Sequence, residues 1–161
     1  MESMTKEKKQ EFTLRITKAN KSQMIVILYD MILQYLQDAI SDYEKGNLKE
    51  YQKNIGYAKN CIDELLNSLN FQYEIANVLR GLYYFYKREL STAAIQQKQE
   101  LLPPVIKMIE ELRKSFEQTA KEDQSAPIME NTQMVYAGLT YGKDSLNLNL
   151  SDQGSNRGFR V

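Results

Sequence analysis

Few side chains in this chain could do covalent or acid–base chemistry. There is no histidine among its 161 residues, which removes imidazole catalysis, His-paired nucleophiles and the usual zinc and non-haem iron sites. Cys61, the single cysteine, has no internal disulfide partner and falls at an inward-leaning helical position. It reads as a small core residue rather than a nucleophile. Carboxylates on facing helices raise the question of a di-iron centre, but such sites also need Glu-x-x-His motifs. Pairs such as Glu110–Lys114 and Glu111–Lys114 suit a solvated charged face. No glycine-rich phosphate loop is present. The sequence therefore assigns no catalytic residue, no cofactor and no metal, and what remains is recognition.

Two Leu-Tyr steps carry that chemistry: Leu28-Tyr29-Asp30, and Leu82-Tyr83 followed by Tyr84-Phe85-Tyr86. Each sets a large ring with a polar tip beside an apolar seam, and a buried tyrosine hydroxyl needs a hydrogen-bond partner. Tyr83 to Tyr86 cover roughly 300° of a helix, so their rings cannot all face one core. Two roles stay open for them. They wedge one helix against its neighbours, or they floor a groove for an amphipathic helix docking at i, i+3, i+4 and i+7. Met24 and Met31 suit adaptable surface or core equally.

The positioning elements are helices. Leu48, Tyr51, Ile55, Ala58, Ile62, Leu65 and Leu69 step by three and four without a miss. Ile25, Leu28, Ile32, Leu36, Ala39 and Tyr43 form a second seam. Ile75, Leu79, Leu82, Tyr86, Leu90 and Ala93 form a third, and Leu102, Val105, Ile109, Leu112 and Phe116 a fourth. Ser22 is placed as the cap of the first helix and Asn47 as that of the second. Gly46 supplies a left-handed stop, Pro103-Pro104 an opening turn, and Asn70 the bend between helices two and three. The expected fold is all-α, an antiparallel up-down-up-down four-helix bundle over residues 22–122. Its helices are expected at about 22–45, 48–69, 72–97 and 102–121.

Lys+Arg and Asp+Glu both number 21, so no overall field favours nucleic acid or an anionic membrane. Residues 1–21 carry six basic against three acidic residues and read as a flexible basic segment. Residues 123–161 read as a polar, mostly flexible tail, in which 135–150 contains the strand-like alternation Ser145-Leu146-Asn147-Leu148-Asn149-Leu150-Ser151. That stretch either covers an apolar groove or has no energetic role. No signal-like stretch or membrane-spanning segment is read, and a cytoplasmic protein is expected.

Asn20-Lys21-Ser22-Gln23-Met24-Ile25-Val26-Ile27-Leu28-Tyr29-Asp30 resembles the first helix of the flagellar secretion chaperones of FliS type. Leu66-Asn67-Ser68-Leu69-Asn70, Glu74-Ile75-Ala76-Asn77-Val78-Leu79 and Leu82-Tyr83 are similar to the family's second and third helices, with Tyr86, Arg88 and Leu90 continuing the match. Ile109-Glu110-Glu111-Leu112-Arg113-Lys114-Ser115-Phe116 is similar to the fourth, with Phe116 where many members have Trp. The resemblance spans about residues 14–120. It implies a non-enzymatic export chaperone that binds the C-terminal segment of flagellin, prevents premature polymerisation and helps deliver the subunit to the flagellar export gate. Members commonly carry a tyrosine before the first helix; here Phe12 is the only aromatic residue in that segment. Ile25, Leu28, Tyr29, Leu79, Leu82, Tyr83 and Tyr86 are the candidate flagellin contacts, at positions the resemblance supports, with groove and core both open to them; Asp30 and Arg88 are candidate polar anchors or members of a surface or intrahelical pair. A monomer or weak homodimer is expected. The competing class is a non-catalytic helical adaptor or dimerising structural bundle without a secretion client.

Overall fold

A computed structural model of the chain describes residues 4–129. The strand-like segment 135–150 lies outside the described residues. Five α-helices follow one another: α1 (Lys6–Lys18), α2 (Lys21–Glu44), α3 (Leu48–Asn67), α4 (Ile75–Ile95) and α5 (Leu102–Glu122). A 3-10 turn, Gln99–Leu101, leads into α5. No strand occurs among the described residues. The chain divides into two compact units. One comprises Leu28–Arg113 with Met4, the other Thr5–Ile27 with the residues from Lys114 on.

In the first unit, buried Tyr51, Ile55, Ala58, Ile62 and Leu65 of α3 lie on one helical face, as do Leu28, Ile32, Leu36 and Ala39 of α2. Side-chain contacts fix the helix directions pairwise. Tyr35 meets Tyr57 with ring centroids 5.3 Å apart, and Tyr43 meets Tyr51 at 5.0 Å. Asn54 also donates to Asp42 over 2.7 Å, so α2 and α3 run antiparallel. Tyr51 donates to the Ala93 carbonyl over 2.7 Å, and Lys87 pairs with Asp63 at 2.5 Å, so α3 and α4 do too. Contacts between α2 and α4 advance together, from Tyr29–Tyr83 to Tyr43 donating to the Gln97 carbonyl.

Two helix ends use the same left-handed stop with different residues. At the end of α2, Gly46 takes φ +80°, and the Asn47 amide reaches back to the Asp42 carbonyl over 2.8 Å. At the end of α4, Gln97 takes φ 55°, and the Lys98 amide reaches the Ala93 carbonyl over 3.0 Å. A β-carbon makes the second stop costlier, and no glycine marks it in the sequence. Asn47 precedes α3 as expected, although its side chain makes no capping bond.

The second unit corrects three expectations. Residues 6–18, read as part of a flexible segment, form α1, capped by the Thr5 hydroxyl accepting from the Lys8 amide at 3.1 Å. Net charge obscured a narrow apolar line: Phe12 and Ile16, one turn apart, are buried, and the Lys8 and Arg15 cations each lie 5.6 Å from the Phe12 ring centre. Ser22 does not cap α2. That role falls to Asn20, which accepts from the Gln23 amide at 2.9 Å while Gln23 accepts from the Asn20 amide at 2.9 Å. The Asn20 side-chain amide also donates to the carbonyls of Asp123 and Ser125. Ser22 instead donates to Asp123 over 2.6 Å, and hydrogen bonds from Ser125 and Ser22 lower the Asp123 carboxyl to about 2. Finally, α2 is long and apolar enough by length and composition to cross a membrane. Half of the apolar window is buried inside the protein, as in a core helix.

Glu64 is an unusual member of the α3 face. Its side chain is buried, its Oε2 has no hydrogen-bond partner, and burial, with a lesser contribution from Asp63, raises the carboxyl to about 7. The folded protein therefore holds a proton on Glu64 that the unfolded chain releases near pH 4.5. Stability from this group is complete below about pH 4.5 and is lost as pH rises through about 7. Urea unfolding of wild type and Glu64→Gln from pH 4 to 8 should converge at low pH. The variant should be more stable by on the order of 2 kcal/mol above pH 7. Asn20→Ala should cost about 1–2 kcal/mol in the same assay, with Asn20→Asp intermediate because the acceptor survives and the amide donors do not.

Candidate functional site

Helix α4 is apolar on two sides, and its rotation decides which side is offered to a partner. Ala76, Leu79, Tyr83, Tyr86, Leu90 and Ala93 are buried. Ile75 and Val78 are each 58% exposed, while Leu82 and Phe85 are half-buried. Ile75, Val78, Leu82 and Phe85 step by three, four and three, so they form one stripe within roughly 80° of arc. Phe71 and Tyr73, in the connection before α4, extend the exposed apolar surface at 52% and 63%. The Arg80 guanidinium lies 5.5 Å from the Phe71 ring centre.

The third seam inferred from the sequence mixed these two faces. It put Ile75 and Leu82 inward and omitted Ala76 and Tyr83, because Ile and Leu outrank Ala and Tyr in apolarity. Packing reverses the order. Ala76 is buried, and the Tyr83 hydroxyl finds a partner: it shares a hydrogen bond of 2.5 Å with the Tyr29 hydroxyl. Burial raises both phenols far beyond the range where they ionise at neutral pH, Tyr83 to about 12. They form a neutral structural pair, with Tyr86 close by, its ring centre 6.4 Å from that of Tyr83.

Of the nine positions implied by resemblance, Leu28, Tyr29, Leu79, Tyr83 and Tyr86 are enclosed. Ile25 and Leu82 are half-buried, Asp30 is partly exposed and Arg88 is exposed. Asp30 and Arg88 do not meet. Asp30 accepts both hydrogen bonds from the Arg113 guanidinium of α5, one at 3.4 Å. Arg88 lies 5.7 Å from the Phe85 ring centre. Of the stripe only Leu82 is among those nine; Ile75, Val78 and Phe85 are not, although all four share a 3-4-3 spacing. Cys61 is buried and its thiol is pushed up by burial, so it is held as the unreactive thiol. No cluster of three or more metal-ligating side chains occurs among the described residues.

The described elements are all helical and display an apolar stripe along α4, an arrangement suited to holding another chain. The family model described as flagellar protein FliS matches residues 4–123, and the chain belongs to that family of flagellar export chaperones. No curated protein matches the chain.

The tyrosine pair gives a direct test of structural roles. Tyr29→Phe and Tyr83→Phe each remove the shared hydrogen bond and should each cost about 1–3 kcal/mol. The double variant should cost clearly less than the sum of the two. Chemical denaturation of all four proteins measures the coupling, and simple additivity would show that the hydroxyls do not interact.

Proposed function

We propose that this chain binds the C-terminal segment of flagellin in the cytoplasm, keeps the subunit from polymerising prematurely and assists its delivery to the flagellar export gate. The carrying observation is the Ile75–Val78–Leu82–Phe85 stripe, together with membership of the FliS family. A client helix lays apolar residues at i, i+3 and i+7 against such a stripe. Helices α2 to α5 form an up-down-up-down four-helix bundle in this proposal, supported by the antiparallel α2–α3 and α3–α4 contacts. Leu82 and Ile25 touch the client, and enclosed Leu28, Tyr29, Leu79, Tyr83 and Tyr86 serve it by holding the helices in place. The polar anchor is Asp30, through its pair with Arg113; Arg88 is kept out of the client contact, as an exposed surface residue. The chaperone acts as a monomer or weak homodimer.

Size-exclusion chromatography of the chain mixed with its cognate flagellin should give a one-to-one complex that disappears when flagellin's C-terminal segment is removed. Ile75→Ser with Val78→Ser should lower affinity at least about ten-fold. Because both residues are exposed, unfolding free energy should move by less than about 1 kcal/mol. Absence of any complex would leave the chain as a helical adaptor without this client.

A further inference from the structure

On the other flank of α4 a second surface has quite different chemistry. Gly56, Lys59, Asn60 and Asp63 of α3 and Lys87, Arg88 and Ser91 of α4 line an open notch of about 500 Å³. Asp63 neutralises Lys87; among the described residues no carboxylate pairs with Lys59 or Arg88, and the lining carries net +2. In a chain whose total charge is zero this excess is local rather than a reflection of overall basicity. The guanidinium of Arg88 is set against the Phe85 ring, which limits its freedom and presents its fork of donors. Tyr84, the exposed ring of the aromatic run at 54%, stands one turn before Arg88. The row Arg80, Tyr84, Lys87 and Ser91 lies roughly 170° around the helix from the middle of the apolar stripe.

One lining residue, Gly56, is a glycine inside a helix. Helix interiors disfavour glycine, and a β-carbon added at Gly56 would meet nothing within 4 Å. Packing within the chain therefore does not require Gly56. It lines the notch together with Lys59 and Asn60.

We propose that this notch docks an acidic, extended segment of a partner protein, independently of the apolar stripe. Carboxylates of the segment pair with Lys59 and Arg88, and its backbone takes hydrogen bonds from the Asn60 amide and the Ser91 hydroxyl. The mixture of cations with neutral donors suits a peptide better than a bare anion. The notch meets the proposed flagellin stripe only where Arg88 lies against Phe85, and its other lining residues leave room for a loaded chaperone to engage the acidic partner at the same time.

A fluorescein-labelled hexaglutamate peptide tests this by fluorescence anisotropy on the full chain, with hexalysine and inorganic phosphate as competitors. Binding is expected with Kd on the order of 0.1–1 mM at low salt, weakening as salt rises. Gly56→Leu should fill the notch, keep or raise the melting temperature and weaken binding at least about ten-fold. Lys59→Glu with Arg88→Glu should do the same by charge. Lys53→Glu, which lowers net charge half as much as the double variant at an exposed position outside the notch, should leave most of the binding. The proposal is overturned by no binding, by an equal loss in Lys53→Glu, by unchanged binding in folded Gly56→Leu or the double variant, or by phosphate displacing the peptide. The flagellin complex is read in parallel with all variants. Loss of flagellin binding through the stripe changes alone, with hexaglutamate binding intact, separates the two surfaces.

Discussion

Helix α4 can present either of two apolar faces to the core, and the 2.5 Å hydrogen bond between the Tyr29 and Tyr83 hydroxyls selects one of them. A buried phenol without a partner loses its hydration and gains nothing in return. Rotating α4 to bury Leu82 and Ile75 would pull Tyr83 away from Tyr29 and leave two hydroxyls to be satisfied elsewhere. The observed setting instead pairs the two hydroxyls with each other and encloses Tyr83 and Tyr86 almost completely. Everything displayed by α4 follows from that choice. Ile75, Val78, Leu82 and Phe85 turn outward on one flank, and Lys87 reaches Asp63 on the other.

Polar contacts at the helix ends do comparable work in the second unit. Asn20 closes the start of α2 with Gln23 and simultaneously holds the carbonyls of Asp123 and Ser125, more than one hundred positions away in sequence. Ser22 and Ser125 both point hydroxyls at the Asp123 carboxylate, which favours its charged form. A residue chosen for its capping geometry thus also anchors the chain that leaves α5. The Ile128 amide, donating to the Ala19 carbonyl over 3.0 Å, extends the same attachment.

Legibility in the sequence varied with how cleanly apolar and polar residues separate. In α3 they separate well, and Tyr51, Ile55, Ala58, Ile62 and Leu65 could be read as one face and are buried as one. In α4 they do not, because apolar residues occupy both flanks and hydrophobicity alone has no means of ranking a tyrosine with a partner above a leucine without one. Helix α1 was hidden by its charge, since two buried residues, Phe12 and Ile16, make too short a pattern to outweigh six lysines and arginines nearby. The Asn20-x-x-Gln23 capping box was visible but competed with an adjacent serine. Gln97 could not have been identified, because a left-handed stop without glycine or asparagine has no compositional mark. The candidate site shared this fate: Leu82 was named, while Val78 and Phe85 emerge only once the rotation of α4 is known.

The stripe also limits what kind of client can bind tightly. Its four side chains are already partly covered, so completing their burial offers roughly 1 kcal/mol each, about 4 kcal/mol together. Association alone costs an estimated 4–15 kcal/mol, before any ordering of the client. A single short helix on α4 would therefore bind weakly or not at all. A tightly held client must add further surface, and Phe71 and Tyr73 at the start of the stripe are the nearest apolar area available. An extended segment that wraps beyond α4 meets this requirement, and a compact domain touching the stripe alone does not. The same arithmetic explains how the chain can carry the stripe uncovered. Four part-buried residues, interrupted by half-covered Leu82 and shielded near Phe71 by Arg80, are too small an area to drive self-association, yet sufficient to orient a long client once its other contacts form.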